Sequence, residues 1–156
     1  QGTAAGAGLS LCASADLVVA VDSAKFTSAY TKAGLSPDGS STYFLPRRIG
    51  DRRARELMLT NRVLSAAEAE SWGLVNQVVP EDQLTEATSA LVSMMTAGPT
   101  RAFGAVKRLL NESSHTSLET QMELETREIA SCAMSEDGQE GISAFLAKRA
   151  PSYSGQ

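Results

Sequence analysis

Two short stretches carry the groups from which chemistry could be built. The first is Gly6-Ala7-Gly8, in QGTAAGAGLSLCASADLVVA, at the mouth of an apolar run. Small residues let the backbone approach another group closely, and amides at a helix start can point at an oxygen that carries negative charge. That is the physics of an oxyanion hole, in which backbone donors stabilise charge developing on a carbonyl oxygen. The same tripeptide also serves plain close packing. The second stretch is GLSPDGSS, where Pro37-Asp38-Gly39 reads as a β-turn with proline fixing one dihedral and aspartate and glycine tolerating unusual ones. A carboxylate held in a tight turn can also serve as a general base, and the two readings are compatible.

Other reactive residue types lead elsewhere. His115 is the only histidine, sits in NESSHTS between two helical patterns, and has no neighbouring nucleophile motif with which to build a Ser-His-Asp system. Cys12 and Cys132 lie in apolar surroundings without a CxxC or a ligand-spaced histidine. They read as free buried thiols in a reducing compartment, and no metal site is expected. Glu119, Glu123, Glu125 and Glu128 fall on one long amphipathic pattern and read as its solvated face. Trp72 and Tyr43 read as core or rim aromatics, and the arginines of LPRR and DRRAR as solvated charge.

Positioning such groups requires a core, and 156 residues with 42% hydrophobic content suffice for one. Leu9 to Ala15 reads as a short apolar helix and Asp16 to Asp22 as a buried, valine-rich strand. The stretch from Ser23 reads as an ordered loop region ending in a helix near Ser41 to Ile49. A helical pattern starts at Asp51, with Ala54, Leu57 and Met58 on one side. Ser65-x-x-Glu68 is a capping box, with Gly73 as the C-terminal stop. GLVNQVV reads as a short strand. Pro80 opens a helix whose Leu84, Leu91, Met94 and Met95 form an apolar stripe read as core. Pro99, TSLETQMELETREIASCAM and EDGQEGISAFLAKRAPSYSG begin or carry three further helices. The division expected is a core over 1–98 and a helical arm over 99–156.

A net charge of -4 argues against general nucleic-acid affinity, which needs a basic surface to displace counterions. No apolar run approaches the roughly 20 residues of a membrane span. The expectation is a cytoplasmic protein without a nucleic-acid or membrane partner. The glycine-alanine opening, which normally lies inside a fold, predicts a further segment before Gln1.

At this point a resemblance enters. GTAAGAGLSLCASADLVVAVDSAKFTSAYTKAGLSPDGSSTYFLPRRIG followed by ELMLTNRVLSAAEAESWGLVNQVV resembles the enoyl-CoA hydratase/isomerase, or crotonase, superfamily, in register from Gly2 to the terminal EGISAFLAKRAPSYSG. The family's chains are longer, and this one resembles their C-terminal part. The resemblance implies an α/β fold, a ClpP/crotonase spiral of β-β-α units, here incomplete, with a helical C-terminal trimerisation arm and a homotrimer or hexamer as the assembly. It implies a CoA thioester substrate, with no cofactor beyond the coenzyme A of the substrate itself. It also implies an enolate held by two backbone amides. One is carried by the residue matching Ala7, and the other by an upstream loop, so the chain alone is expected to be inactive.

The resemblance also separates the branches. The hydratases carry glutamates at the positions held here by Ser10 and Tyr30, and neither residue can act as a carboxylate base. Asp38 matches the catalytic aspartate of several non-hydratase members, and AFLAKRAPSYSG is similar to the C-terminus of the phenylacetate-pathway isomerases. The aryl-CoA dehalogenases are also similar, but they have an active-site tryptophan at the position of Tyr30. The expected activity is therefore an acyl-CoA isomerase that moves a double bond or opens a ring epoxide. Asp38 would be the acid/base and the Ala7 N–H an oxyanion donor, with Gly6, Gly8, Tyr30 and Pro37 around the substrate. Phe145 and Lys148 on the last helix would reach the CoA of a neighbouring subunit. The alternatives are an enoyl-CoA hydratase and a catalytically incomplete assembly subunit or fragment.

Overall fold

The computed structural model describes residues 1–156, which divide into two compact units, Gln1–Ser89 and Ala90–Gln156. In the first, β1 (Thr3–Ala5) leads through Gly6 into α1 (Ala7–Ser14), and β2 (Val19–Val21) and β3 (Lys25–Thr27) follow. A single 3-10 turn, Thr31–Ala33, precedes the loop that carries Asp38. Next come α2 (Ser41–Ile49), α3 (Asp51–Thr60), β4 (Leu64–Ser65), α4 (Ala66–Ser71) and β5 (Gln77–Val79). Helix α5 (Leu84–Thr96) runs across the boundary between the units.

The strands form two small sheets. β3 lies between β1, to which it is parallel (Ala4 opposite Phe26), and β4, to which it is antiparallel (Phe26 opposite Leu64). β2 and β5 pair in parallel with Ala20 opposite Val78. The expected strand over Asp16 to Asp22 is cut to Val19–Val21 because its partner supplies only that much ladder. Val18 is already engaged by the side chain of Asn76, whose Oδ1 accepts from the Val18 N–H at 2.8 Å. GLVNQVV shortens to Gln77–Val79 for a related reason, since Gly73 and Leu74 belong to the end of α4.

One core holds the first unit together. Leu9 and Ala13 of α1, Leu45 and Ile49 of α2, and Ala54 and Leu57 of α3 are buried with Phe26 and Leu64 from the central sheet. Spacings of three and four residues put each helical pair on one face, so α1 packs on α2 and α2 on α3. Each fully buried leucine contributes roughly 1.5–3 kcal/mol relative to exposure. Helix α4 shows both expected stops. The Ser65 hydroxyl accepts from the Glu68 N–H while Glu68 accepts from the Ser65 N–H at 3.0 Å. At the other end, Leu74 N–H reaches the Ala69 carbonyl and Gly73 N–H the Glu70 carbonyl, a Schellman closure with Gly73 at φ 82°.

The stripe on α5 departs from expectation. No residue of this helix is fully buried: Leu84 packs half-buried against the core, Leu91 and Met95 are half-buried, and Met94 is 57% exposed, so the stripe is only partly covered within these residues. Cys12 and Cys132 are half-buried rather than fully buried. No helix is long and apolar enough to cross a membrane.

The second unit contains α6 (Thr100–Glu112), α7 (Leu118–Ala133) and α8 (Glu136–Leu146). Its solvated face is more structured than expected, because Arg108 holds Glu128 bidentately at 2.9 and 3.0 Å across α6 and α7. Two carboxylates fold the tail back along α8. Buried Asp137 accepts from the Ser154 and Gly155 amides at 2.7 and 2.9 Å. Glu140 takes both ends of the Arg149 guanidinium, at 2.6 and 2.7 Å, and the Ser152 amide at 2.9 Å.

Arg149 first, and then the Ser152 amide, hold the Glu140 carboxyl down at about 2. A lowered folded-state value means that the clamp contributes its full stability above the free carboxyl's range near 4.3 and loses it as pH falls through about 2. The Ser152 amide resonance should therefore titrate with a midpoint near the bound value of about 2. A midpoint near 4.3, the free carboxyl value, would show that the clamp does not form in solution.

Candidate active site

The turn before α1 is built for glycine. Gly6 has φ 53° and ψ −120°, and its N–H donates to the Thr27 carbonyl at 3.2 Å, tying the helix entrance to β3. A Cβ here would lie 3.7 Å from the Tyr30 ring, so that ring rests directly over the turn. The first helical bond runs from Ser10 N–H to the Gly6 carbonyl at 3.1 Å. The amides of Ala7 and Gly8 precede it and have no acceptor within the helix. Ala7 is exposed and Gly8 half-buried, so the positive end of α1 opens outward beside Tyr30.

The turn that carries Asp38 lies one residue later than the sequence suggested. Ser41 N–H donates to the Asp38 carbonyl at 3.2 Å, which closes a turn over Asp38–Ser41 with Gly39 at φ 59° and Ser40 at φ 63°. Pro37 stands just ahead of it. Two successive positive φ values define a primed turn, and a left-handed serine costs about 1–2 kcal/mol. That cost is offset where the turn becomes a helix, since the Ser40 carbonyl accepts from the Tyr43 and Phe44 amides, each at 3.0 Å. Helix α2 then carries Leu45 and Ile49 into the core and fixes the turn to the body of the unit.

Asp38 is gripped at both ends. Its carbonyl accepts from Ser41 Oγ at 2.9 Å and from Ser10 Oγ at 3.1 Å, besides the Ser41 amide. Its carboxylate Oδ1 accepts from the Tyr30 hydroxyl at 2.5 Å, and the side chain is otherwise exposed. Ser10 Oγ also lies 3.3 Å from the Gly6 carbonyl and 3.4 Å from the Tyr30 hydroxyl. The Gly6 turn that opens α1 at Ala7 and Gly8 is thus joined to Tyr30 and Asp38, while Pro37 is brought in only as the residue before Asp38. Ser10 and Ser41, which were not singled out for binding or catalysis, bind the group together. The signal for Ser10 is a hydroxyl one turn after Gly6 on a helix that is otherwise apolar up to its last residue, Ser14.

Several groups stand apart. Phe145 lies on α8 and is 82% exposed. Lys148 lies two residues beyond α8 rather than on it, at φ 52° in the closing turn of the helix. The reason is a Schellman closure, in which Lys148 N–H reaches the Phe145 carbonyl and Arg149 N–H the Ala144 carbonyl. Burial pushes the Cys12 thiol up, which disfavours a thiolate on α1. No three His, Cys, Asp or Glu side chains come together as a metal cradle.

Comparison with known proteins adds the following. A family model described as enoyl-CoA hydratase/isomerase matches residues 1–156. The chain is 41% identical over 156 residues to the 1,2-epoxyphenylacetyl-CoA isomerase of Escherichia coli (strain K12), covering 100% of this chain and 60% of that protein. It is 39% identical over 129 residues to 4-chlorobenzoyl coenzyme A dehalogenase-1 of Arthrobacter sp, covering 83% of this chain and 47% of that one. A crystal structure of an enoyl-CoA hydratase from Polaromonas sp. JS666 matches with a TM-score of 0.93 at 35% identity, covering 99% of this chain and 60% of that chain. The chain therefore spans less than two thirds of the length of these relatives.

The Asp38 turn yields a direct test. A Cβ on Gly39 would come 3.0 Å from Ser10 Cβ, at a φ of 59° that alanine adopts poorly. Gly39→Ala should lower stability by about 1–3 kcal/mol, read from the midpoint of urea unfolding. An unchanged midpoint would mean that the turn is not held against α1.

Proposed function

The chain belongs to the enoyl-CoA hydratase/isomerase family and has its crotonase-like fold, and from that premise we propose that it carries the proton-transfer site of an acyl-CoA isomerase. The observation that carries this reading is the single carboxylate, Asp38, beside the unpaired amides that open α1. The similarity to an isomerase acting on a CoA thioester supports it. Coenzyme A enters as part of the substrate.

The reaction needs one base and one anion site. On an α,β-unsaturated thioester, Asp38 takes a proton from the γ-carbon. The electrons of that C–H bond form a β,γ double bond, and the former α,β pair moves onto the thioester carbonyl as a dienolate. The Ala7 N–H, at the positive end of α1, donates to that oxygen, and a second donor would come from outside these residues. Asp38 then returns the proton to the α-carbon, which regenerates the carboxylate and leaves the double bond shifted. Water addition would call on further acid-base groups, and at the two positions that face Asp38 the site offers hydroxyls, Ser10 and Tyr30.

Two further assignments rest on this reading. On this reading, exposed Phe145, and Lys148 beyond α8, would meet the CoA of a neighbouring subunit in a homotrimer or hexamer. Support for such an assembly comes from the apolar side chains that the second unit leaves exposed, among them Leu110, Leu118, Met122, Ile129 and Met134.

The reading is tested in a polypeptide of the relatives' full length carrying these residues. Asp38→Asn keeps the size of the side chain and removes the base, so isomerisation should fall by about 10²–10⁴-fold with folding intact. Isomerisation at the unsubstituted rate would overturn the assignment.

A further inference from the structure

We infer that Tyr30 and Ser10 are positioning residues for Asp38, which they hold as a base with only one free oxygen; this rests on the isomerase reading above. A carboxylate on an exposed turn would ordinarily rotate and present either oxygen. Here the Tyr30 hydroxyl donates to Oδ1 at 2.5 Å, and Tyr30 itself is fixed by its ring over Gly6 and by its own N–H donating to the Ser28 carbonyl at 2.8 Å. Oδ2 is left as the oxygen that can take a proton from substrate.

Ser10 fixes the other end of the same residue. It is 1% exposed, and its hydroxyl reaches the Asp38 carbonyl at 3.1 Å and the Gly6 carbonyl at 3.3 Å. One side chain therefore sets the backbone of the base relative to the helix mouth that supplies the oxyanion donor. The base and the anion site must act on one substrate at once, and a displacement of about 1 Å can cost on the order of 10²-fold in rate. The absence of a Cβ on Gly39 lets the turn close on Ser10. A longer side chain at position 10 would push Asp38 outward, so the position is built for a small hydroxyl.

The test is a set of variants in the full-length polypeptide, assayed for double-bond shift. Tyr30→Phe should lower kcat by about 10- to 100-fold, the effect of one hydrogen bond to a charged group, with KM within about twofold. Ser10→Ala should lower kcat in the same way. In an Asp38→Asn background, Tyr30→Phe should cost nothing further, because its effect passes through the carboxylate. The inference is overturned if Tyr30→Phe keeps kcat, raises KM instead, or costs as much on the residual rate of Asp38→Asn as it does with the carboxylate present, while Asp38→Asn alone shows its expected loss of about 10²–10⁴-fold. Full activity of Asp38→Asn would overturn the isomerase reading together with it. Tyr30→Phe only removes a hydroxyl from a half-buried ring, so it remains decisive even where Ser10→Ala fails to fold.

Discussion

The site depends on where the backbone of Asp38 is tied. A carboxylate at the head of a primed turn is mobile unless the turn is fixed to something rigid, and its carbonyl accepts from three donors, Ser10 Oγ, Ser41 Oγ and the Ser41 amide. Ser10 belongs to α1 and Ser41 to α2, and those helices pack on each other through Leu9, Ala13, Leu45 and Ile49. The core thus serves the chemistry directly. It fixes Asp38 relative to the N-terminus of α1 by fixing two helices. The strain of a left-handed Ser40 persists because both flanks over-determine it.

Much of this arrangement was legible in the residues. Ser65, Glu68 and Gly73 signal the ends of α4 through local chemistry, and the structure shows the capping box and Schellman closure they imply. The helix near Ser41 to Ile49 and the Gly6 turn were equally plain, since positive φ and helical periodicity are local properties. The hydrogen bonds from Ser10 and Tyr30 to Asp38 could not be read, because they join residues brought together only by packing. Strand lengths fell short for the same reason, as the ladder of β2 ends where β5 ends. The stripe of α5, half-buried at Leu84, Leu91 and Met95 and exposed at Met94, shows that amphipathicity identifies an apolar face and not how fully it is covered.

The proposed chemistry rests on the number of carboxylates within reach. A proton taken from one carbon and returned to another needs a single group that alternates between base and acid, the role proposed for Asp38. Addition of water would ask a second acid-base group to activate water or protonate carbon. The residues that face Asp38 are a serine and a tyrosine, and both already hold it in place. The two carboxylates of the second unit, Asp137 and Glu140, are committed to holding the tail against α8.

The most direct measurement presents the full-length polypeptide with one α,β-enoyl-CoA and one β,γ-enoyl-CoA, following the double bond by absorbance and the product by mass. A site with Asp38 as its lone carboxylate should interconvert the two at constant mass. Efficient gain of one water by the α,β-substrate would contradict that account and would require a second acid-base group acting at this site.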